Sequence, residues 1–394
     1  MKKNNIGVFF GGKSPEHDVS IITGQLIISE LKKLGYNVEP IYLSKEGEWF
    51  LGEKMGTLET FCDLNKKEER LKNAGNYFLD LAKIKNKMVF RKKGLLGKEV
   101  VIDLAFPAFH GMNGEDGTIQ GTFEMFNIPY VGCDLPSSAI AMDKALTKLI
   151  YKSEEIPTTK FIYFNDHDWN KNREKILTKV RKELNLPIFI KPARLGSSIG
   201  MSKIGKLEEL ESACEVALHY DSKIVIEEGV ENLADITCAV LGNENPQPSL
   251  IQESLFSDKL FSFESKYLDD GGAQLGNATG NIIIPAKLSE EVTEKIQKMA
   301  VKIFKVLGCS GIARADFLYD RKNDFIYANE VNPLPGTLYH HLWKKSGIEI
   351  GELLEKLIWL AKEKHQAKNK ISHSFNSEIL KQANSTKLQI KNNG

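Results

Sequence analysis

The stretch "GVFFGGKSPEHDVS" (residues 7–20) joins an apolar run to a glycine turn and then to a polar, helix-like segment. Residues 7–14 satisfy the phosphate-binding pattern G-x-x-x-x-G-K-[ST]. In a true phosphate-binding loop the variable residues form the loop itself, whereas here most of them belong to an apolar strand at residues 6–10. The acidic Glu16 and Asp18 follow the turn and would repel a polyphosphate. The segment therefore predicts a strand, a tight turn and a helix, with Glu16 suited to a cation such as a substrate's ammonium group.

Composition excludes several classes of protein. The 394 residues allow two or three domains, and 53 basic against 52 acidic side chains give a net charge of +1. That balance argues against nucleic acid or a membrane surface as partner. The five cysteines are scattered without a C-x-x-C pair, so neither a zinc site nor a disulfide framework is indicated. No apolar run approaches a signal peptide or a membrane span, and we expect a cytoplasmic protein.

The first 135 residues alternate strand and helix patterns. A strand at residues 6–10, an amphipathic helix at 19–34 and a strand at 38–43 predict a mostly parallel, Rossmann-like sheet. Residues 44–98 are polar and charged, and we expect an irregular insertion there. A strand over residues 100–111 ends near His110, and the carboxyl ends of such strands are where ligands bind.

Two α+β units and a tail are expected after this domain. The first unit, residues 136–220, contains a helix at residues 137–151. The second, residues 221–366, contains two paired strands that carry "ARADFLYD" and "FIYANEVNP". Residues 367–394 are rich in Lys, Asn and Ser and are expected to form a loose tail.

Three polar side chains on the paired strands form a candidate metal site. Glu330 and Asn332 are two residues apart and so face the same side of their strand, and Asp316 can join them across a hairpin. Two carboxylates and an amide oxygen suit magnesium carrying a phosphate. A solvated strand face remains the alternative for such a trio, although its apolar neighbours indicate partial burial.

Several lysines indicate an anion site. Lys191 ends the apolar strand "PIFIKP", and the turn "RLGSSIG" (residues 194–200) that follows can close over phosphate with its N–H groups and hydroxyls. Lys144 lies at or near a helix start, and Lys266 lies in "FESKYLDDGG". Each lysine alone is more typical of a surface charge, but together with the metal trio they favour phosphate binding.

The motifs taken together identify a family resemblance. "GGKSPEHDVS", "FHGMNGEDGTIQG", "AMDK", "FIKPARLGSSIGM", "ESKY" and "ARADF…NEVNPLPG" occur in the order and approximate spacing of the D-alanine–D-alanine ligases of the ATP-grasp superfamily. The resemblance covers about residues 4–362. It implies an ATP-grasp fold of α/β and α+β units with a Rossmann-like (pre-ATP-grasp) N-terminal domain. It also implies that the apparent phosphate-binding pattern is accidental.

The resemblance implies a role for each site residue. ATP and two magnesium ions (or manganese) would bind, with Asp316, Glu330 and Asn332 as metal ligands. Arg314, helped by the Gly336 backbone, would stabilise a tetrahedral oxyanion. Glu16 would hold the first substrate's ammonium group in a hydrogen-bonded link with Ser197 and Tyr267, and His110 would lie near that substrate. The residues implied to contact ATP are Lys144, Lys191, Ser198, Glu227, Glu228, Asp235 and Lys266.

Two departures from the family pattern affect these expectations. Asp235 in "NLADITCAV" replaces the usual glutamate at the ribose position. The loop "NPLPGTLYHHLW" (residues 332–343) is about four residues shorter than usual. By the resemblance, Thr337 and Leu338 of this loop would bind the carboxylate of the acceptor substrate.

The leading hypothesis is ATP-dependent joining of two D-alanines through an acyl phosphate, for peptidoglycan and hence cell-wall biogenesis and cell shape, by a homodimer. One alternative keeps the chemistry and changes the acceptor to D-lactate, D-serine or another amino acid. A second alternative is a catalytically inactive nucleotide-binding regulator, and a P-loop NTPase is a third.

Overall fold

The computed structural model describes residues 4–94, 97–255, 282–372 and 374–377. Within these ranges the chain forms three β-sheets with helices packed on them. Each sheet is built from a consecutive part of the chain.

The first sheet contains β1 (Asn5–Gly11), β2 (Asn37–Leu43), β3 (Trp49–Leu51), β4 (Asn76–Leu79), β5 (Met88–Lys92), β6 (Glu99–Ile102) and β7 (Leu104–Pro107). Their order across the sheet is β6-β5-β4-β3-β2-β1-β7. β1 pairs in parallel with β2 and β7, which confirms the predicted parallel unit at the start of the chain. The helices of this part are α1 (His17–Lys33), α2 (Glu59–Cys62), α3 (Leu64–Ala74) and α4 (Thr118–Met125), with a 3-10 turn at Glu53–Gly56.

The expectation of an irregular insertion at residues 44–98 is wrong. β3, β4 and β5 lie in this range and extend the sheet as antiparallel neighbours. These strands have only three to five residues, and β5 ends in charged side chains. Strands this short show too little alternation to be detected in a polar segment.

The expected single strand at residues 100–111 is also wrong. Asp103 separates β6 from β7, and its carboxylate accepts a hydrogen bond of 2.9 Å from the backbone N–H of Asn5. β6 pairs with β5 at one edge of the sheet, whereas β7 pairs with β1 at the other. One charged residue inside an apolar run does not reveal such a crossing.

The second sheet contains β8 (Phe161–Asn165), β9 (Ile188–Pro192), β10 (Ser202–Ile204) and β11 (Lys223–Glu228) in the order β10-β9-β11-β8, all antiparallel. Its helices are α5 (Leu135–Met142), α6 (Lys144–Ser153), α7 (Asp166–Glu183) and α8 (Leu210–Tyr220), with a 3-10 turn at Leu207–Glu209. The predicted single helix at residues 137–151 is two helices. Asp143 adopts an extended conformation between them and caps α6 by accepting from the N–H groups of Ala145 and Leu146.

The third sheet contains β12 (Leu233–Gly242), β13 (Gln247–Ser254), β14 (Ile282–Ile283), β15 (Gly311–Asp320) and β16 (Phe325–Asn332) in the order β14-β13-β12-β15-β16. The predicted pairing of the "ARADFLYD" and "FIYANEVNP" strands is confirmed as the antiparallel β15–β16 hairpin. The helices are α9 (Glu290–Val306), α10 (His340–Lys345) and α11 (Ile350–Lys368), with a 3-10 turn at Gly336–Tyr339.

The first and third parts of the chain share one hydrophobic core. Ile28 and Leu31 of α1 cluster with Leu353 and Leu357 of α11, and all four are buried. This packing holds the carboxyl edge of the first sheet beside the β15–β16 hairpin. Among the described residues, no helix has the length and apolar character needed to cross a membrane.

Candidate active site

A polar cavity lies where the turn after β1, the turn after β9 and the β15–β16 hairpin meet. Its wall combines carboxylates, cations and small residues from all three parts of the chain. The lining residues are Glu16, Glu115, Ala141, Met142, Lys144, Gly196, Ser197, Arg314, Glu330, Val331, Asn332 and Pro333. Six of the residues singled out from the sequence therefore line one cavity, namely Glu16, Lys144, Ser197, Arg314, Glu330 and Asn332.

The β15–β16 hairpin carries the charged centre of this site. Its register places Asp316 opposite Glu330 and Arg314 opposite Asn332. The guanidinium of Arg314 donates to Asp316 from Nε (2.9 and 3.1 Å) and from Nη2 (2.7 Å), and the Asn332 amide donates at 3.1 Å. Thr237 of β12 donates a further hydrogen bond of 3.0 Å to Asp316. The strand pairing thus assembles the trio predicted as metal ligands.

The donor set fits a divalent cation. Burial, together with the facing carboxylate of Glu330, raises the pKa of Asp316, although Arg314 opposes that shift. A magnesium ion relieves such repulsion and prefers oxygen ligands. The described residues contain no group of three or more His, Cys, Asp and Glu arranged to hold a metal, so the amide of Asn332 would complete this set.

Glu16 is held against the turn that follows β9. The hydroxyl of Ser197 donates a short hydrogen bond to its carboxylate. Ser197 and Ser198 both adopt left-handed backbone conformations, with φ of 55° and 59°, which turn the chain toward Glu16. At Gly196 an added Cβ would lie 3.1–3.2 Å from both carboxylate oxygens of Glu16. The predicted Glu16–Ser197 link is therefore present, whereas Tyr267 lies outside the described residues.

The glycine turn after β1 does not present its amides to a ligand. Gly11 N–H donates to the Ser20 hydroxyl at 2.8 Å, and Gly12 N–H donates to the Leu43 carbonyl at 2.7 Å. The side chain of Lys13 is exposed. Amides engaged inside the protein cannot cradle a phosphate, so the turn positions Glu16 instead.

Two of the predicted phosphate-binding lysines lie near this centre. Lys144 opens α6, and its ammonium donates to the Leu195 carbonyl at 2.9 Å and lies 3.2 Å from Glu330. Lys191, in β9, forms an ion pair with Glu227. Lys266 lies outside the described residues. Lys144 beside Glu330, together with Lys191, which interacts electrostatically with Glu330, suits a polyphosphate bound with a metal ion.

Family models match most of the chain. The model described as "D-ala D-ala ligase N-terminus" matches residues 5–133, and the model described as "D-ala D-ala ligase C-terminus" matches residues 150–359. The chain belongs to the D-alanine–D-alanine ligase family. The resemblance inferred from the motifs is therefore confirmed.

Relatives of this D-alanine–D-alanine ligase family member extend over nearly its full length. A "D-alanine--D-alanine ligase" of Thermosipho melanesiensis is 41% identical over 96% of this chain and 98% of its own. One from Geobacillus kaustophilus is 37% identical over 95% of this chain and 99% of its own. The prediction of an enzyme that uses ATP is confirmed at the level of this family. The alternatives of an inactive regulator and of a P-loop NTPase are wrong.

Solved structures show the same fold. The D-alanine-D-alanine ligase from Coxiella burnetii matches with a TM-score of 0.77 and 29% identity, over 94% of this chain and 97% of that chain. The VanG D-Ala:D-Ser ligase from Enterococcus faecalis matches with a TM-score of 0.76 and 32% identity, over 91% and 99%. The predicted ATP-grasp fold is confirmed. The N-terminal sheet is mixed and not mostly parallel as expected, because only β1–β2 and β1–β7 pair in parallel and the other four strand pairs are antiparallel.

The contact of Glu227 with the nucleotide stays a prediction, but its side chain is engaged inside the protein. Glu227 is 2% exposed, and its carboxylate is held by Lys148, Lys191 and the hydroxyl of Thr159. The two ammonium groups lower its pKa below the usual range even though burial raises it. A carboxylate paired in this way has a role in charge balance inside the protein.

The other two carboxylates predicted near the nucleotide lie on β11 and β12, which belong to the second and third sheets. Glu228 accepts hydrogen bonds from the backbone N–H (2.8 Å) and the amide (3.0 Å) of Asn185. Asp235 of β12 pairs in register with Leu318 of β15. Their contacts with a ribose stay a prediction.

The acceptor loop also differs from expectation. Thr337, Leu338 and Tyr339 adopt left-handed conformations in succession, with φ of 47°, 56° and 51°. Thr337 N–H donates to the hydroxyl of Thr23 at 3.1 Å, and Leu338 N–H donates to the carbonyl of Pro335 at 2.9 Å. Both amides expected to hold the acceptor carboxylate are therefore engaged inside the protein in this conformation.

The loop nevertheless supports the predicted oxyanion donor. The guanidinium of Arg314 lies 4.7 Å from the ring centre of Tyr339, a cation–π contact. Gly336, expected to assist Arg314 through its backbone, is buried at the start of the same turn. The short loop thus holds Arg314 through Tyr339.

Three residues in or beside the site were not singled out from the sequence. Thr23 contacts His110 Nε2 at 2.9 Å through its hydroxyl, in addition to Thr337. Burial and the charge of Arg314 lower the pKa of His110 to about 3, so the imidazole is neutral at pH 7. Thr23 carried no sequence signal because its partners are 87 and 314 residues away.

Glu115 is the second of these residues, and it lies in the cavity wall. It accepts a hydrogen bond of 2.7 Å from the backbone N–H of Gly111. Burial and the nearby carboxylate of Glu16 raise the pKa of Glu115 to about 8. Its position inside "FHGMNGEDG" was the available signal. Lys148 is the third, and its position four residues after Lys144 on the same helix was the signal there.

Proposed function

We propose that this chain joins two molecules of D-alanine into D-alanyl-D-alanine with hydrolysis of ATP to ADP, for peptidoglycan precursors. One cavity combines an anchor for a substrate ammonium group, Glu16 with Ser197, and a carboxylate centre beside two cations, Lys144 and Arg314. This combination carries the proposal. Activation of a carboxylate by ATP needs both a bound amino acid and a means of neutralising polyphosphate charge.

The first D-alanine binds with its ammonium group at Glu16. Its carboxylate then attacks the γ-phosphate of ATP, which forms an acyl phosphate and releases ADP. Lys144 and Lys191, with Lys266 from the segment outside the described residues, screen the repulsion between the two anions. The Ser198 backbone and the turn around it close over the phosphates. Two magnesium ions, or manganese, held by Asp316, Glu330 and Asn332 would supply further neutralisation of phosphate charge.

The second D-alanine attacks the acyl phosphate with its amine. The attack creates a tetrahedral oxyanion, and the C–O bond to phosphate then breaks to leave the peptide bond and inorganic phosphate. Arg314 is buried and fixed by Asp316 and Tyr339, so its guanidinium is ready to stabilise the oxyanion without reorganising. The acceptor carboxylate binds beside the Thr337–Leu338 turn, whose backbone is held in place by the hydrogen bond from Thr337 N–H to Thr23.

D-serine is the second candidate for the acceptor. The D-Ala:D-Ser ligase from Enterococcus faecalis is 32% identical with a TM-score of 0.76, so the fold accommodates both acceptors. The relatives named D-alanine–D-alanine ligase at up to 41% identity favour D-alanine for this chain. D-lactate and other amino acids remain outcomes of the test.

Phosphate release with a panel of D- and L-amino acids and D-lactate tests the substrate assignment, with products identified by mass spectrometry. We expect D-alanyl-D-alanine from ATP, magnesium and D-alanine alone. Release of phosphate only when D-serine is added with D-alanine would show that the acceptor is D-serine and not D-alanine. We also propose that the protein is a cytoplasmic homodimer. Light scattering coupled to gel filtration tests the oligomeric state, and a measured mass equal to one chain would contradict the dimer.

A further inference from the structure

Lys148 is a buried lysine whose hydrogen-bonding capacity is used inside the protein. It lies one turn after Lys144 on α6, and its side chain is 2% exposed. Its ammonium contacts the hydroxyls of Thr158 (2.8 Å) and Thr159 (3.0 Å) and the Oε2 atom of Glu227 (2.7 Å). An ammonium has three donors, so Lys148 has none left for a ligand.

Glu227 divides its two oxygens between two lysines. Oε2 accepts from Lys148 and from the Thr159 hydroxyl at 2.8 Å, whereas Oε1 pairs with Lys191. The side chain of Lys191 is 14% exposed, against 2% for Lys148. In the described part of the chain, the ion-pair partner of Lys191 is one oxygen of Glu227. An ammonium has three donors, so Lys191 retains donors for another anion.

Without Lys148, the buried carboxylate of Glu227 would have Lys191 as its only counter-ion among these two lysines. A buried one-to-one pair between Glu227 and Lys191 would be strongly attractive, because the protein interior screens charge weakly. A phosphate would then compete with Glu227 for Lys191. Lys148 already neutralises the carboxylate, which leaves the charge of Lys191 available.

The same cluster reaches the strand of the predicted metal ligands. Thr158 accepts from Lys148 and donates to the Ala328 carbonyl of β16 at 2.9 Å. Ala328 lies two residues before Glu330. Lys144 and Lys148, four residues apart on α6, therefore connect that helix to Glu330 and Glu227 respectively.

We propose that Lys148 is a positioning residue for ATP: it serves as the permanent counter-ion of Glu227, so that Lys191 can bind phosphate. The inference rests on the proposed function, because it takes Lys191 to contact ATP. Lys148 touches neither substrate nor nucleotide in this account. Its effect is therefore expected on nucleotide affinity and not on D-alanine.

Lys148→Met keeps the length of the side chain and removes its charge. We expect a magnesium-complexed, non-hydrolysable ATP analogue to bind about tenfold or more weakly by calorimetry, with the KM for D-alanine within about twofold of wild type. Lys152→Met is the matched control, since Lys152 lies one turn further on the same helix, exposed, over the ring of Phe161 at 4.6 Å. This control should bind the analogue as wild type does.

A double variant separates positioning from general damage. With Glu227→Gln the site holds no carboxylate that needs a counter-ion, so Lys148→Met/Glu227→Gln should bind the analogue as tightly as Glu227→Gln alone. This comparison also serves if Lys148→Met by itself fails to fold. Three results would overturn the inference. The first is unchanged nucleotide affinity in a folded Lys148→Met, and the second is an equal loss of affinity for nucleotide and D-alanine in that variant. The third is nucleotide binding about tenfold weaker in the double variant than in Glu227→Gln. A wild-type protein that makes no D-alanyl-D-alanine would contradict the proposed function instead, because the binding measurement needs no turnover.

Discussion

The backbone N–H of Thr337 donates a hydrogen bond of 3.1 Å to the hydroxyl of Thr23, which also contacts His110 Nε2 at 2.9 Å. One hydroxyl on the first helix therefore connects the residue expected near the donor substrate to the loop expected to hold the acceptor. The neutral imidazole of His110 can accept the Thr23 proton while Thr23 accepts from Thr337. The shortened acceptor loop is held by the N-terminal domain through this contact.

Thr23→Val should weaken the acceptor side of the reaction. It leaves the buried N–H of Thr337 without its partner, which costs about 1–3 kcal/mol. We expect the KM for the acceptor D-alanine to rise about tenfold or more, with the KM for ATP unchanged. Thr23→Ser keeps the hydroxyl and should behave as wild type. Equal effects on both substrates would contradict a specific role for this hydrogen bond.

Lys13→Ala should leave nucleotide binding nearly intact. The side chain of Lys13 is exposed, and the glycine amides beside it donate to Ser20 and Leu43 inside the protein. We expect ATP-analogue affinity within about threefold of wild type, whereas Lys191→Met should lose about tenfold or more. Calorimetry measures both variants. A loss in Lys13→Ala as large as that in Lys191→Met would restore the phosphate-binding interpretation of residues 7–14.

Glu330→Gln should abolish turnover without unfolding the protein. The substitution keeps the shape of the side chain and removes the charge that a magnesium ion would need, so kcat should fall by about a hundredfold or more. The melting temperature should stay close to that of wild type, because repulsion with Asp316 is also removed. Magnesium titrations in the presence of ADP should show weaker ion binding. Wild-type turnover with an unchanged magnesium dependence would exclude Glu330 as a ligand.

Glu115 should make stability fall as pH rises. Burial and Glu16 raise its pKa from 4.5 to about 8 in the folded protein, so the folded state holds a proton that the unfolded chain releases in this window. The resulting stabilisation is fully present below pH 4.5 and is lost as pH rises through about 8.

Glu115→Gln mimics the protonated form and should remove this dependence. Thermal melts from about pH 5 to about pH 9 should show wild type losing stability relative to the variant, by up to about 1.4 kcal/mol for each unit of pKa shift. Gln can still accept the hydrogen bond from Gly111 N–H. If the stabilities of the two proteins changed with pH in the same way, Glu115 would not titrate in this range.

Gly111→Ala should impair binding of the first substrate. The residue has φ of +72°, and an added Cβ would lie 2.5 Å from Ser14 Oγ and 2.7 Å from Glu16 Oε2. Gly47→Ala is the control, because its φ is +87° but nothing lies within 4 Å. Both variants should lose about 1–2 kcal/mol from backbone strain. Only Gly111→Ala should raise the KM of the donor D-alanine, and similar kinetics for the two variants would place Glu16 away from that substrate.

Much of the site could be predicted because its residues fall in local patterns. Glu330 and Asn332 share a strand face through their spacing of two, and Arg314 and Asp316 do the same on the partner strand. A single hairpin brings these four together, so the sequence alone indicated the centre. The family resemblance added Ser197 as the partner of Glu16, because both lie in contiguous motifs.

The strand assignments failed where the pattern was short or interrupted. β3 to β5 have three to five residues each. β3 pairs with β2, β4 with β3 and β5 with β4, so each strand is placed by a partner strand that a short sequence window does not reveal. Asp143 was expected inside a helix, since propensity alone does not show that its carboxylate caps the next helix. For the strands, pairing with other strands outweighed the local pattern, and for Asp143 a local helix cap did so.

The sequence by itself determined the family, the fold class and the chemical types present at the centre of the site. Tertiary structure decided which charges neutralise one another. Glu227 pairs with Lys148 and Lys191, and the Thr337 amide is bound by Thr23, because strands and helices distant in sequence meet there. The strength of an ion pair or a buried hydrogen bond depends on distance and on exclusion of water. Both quantities arise only once the chain is packed.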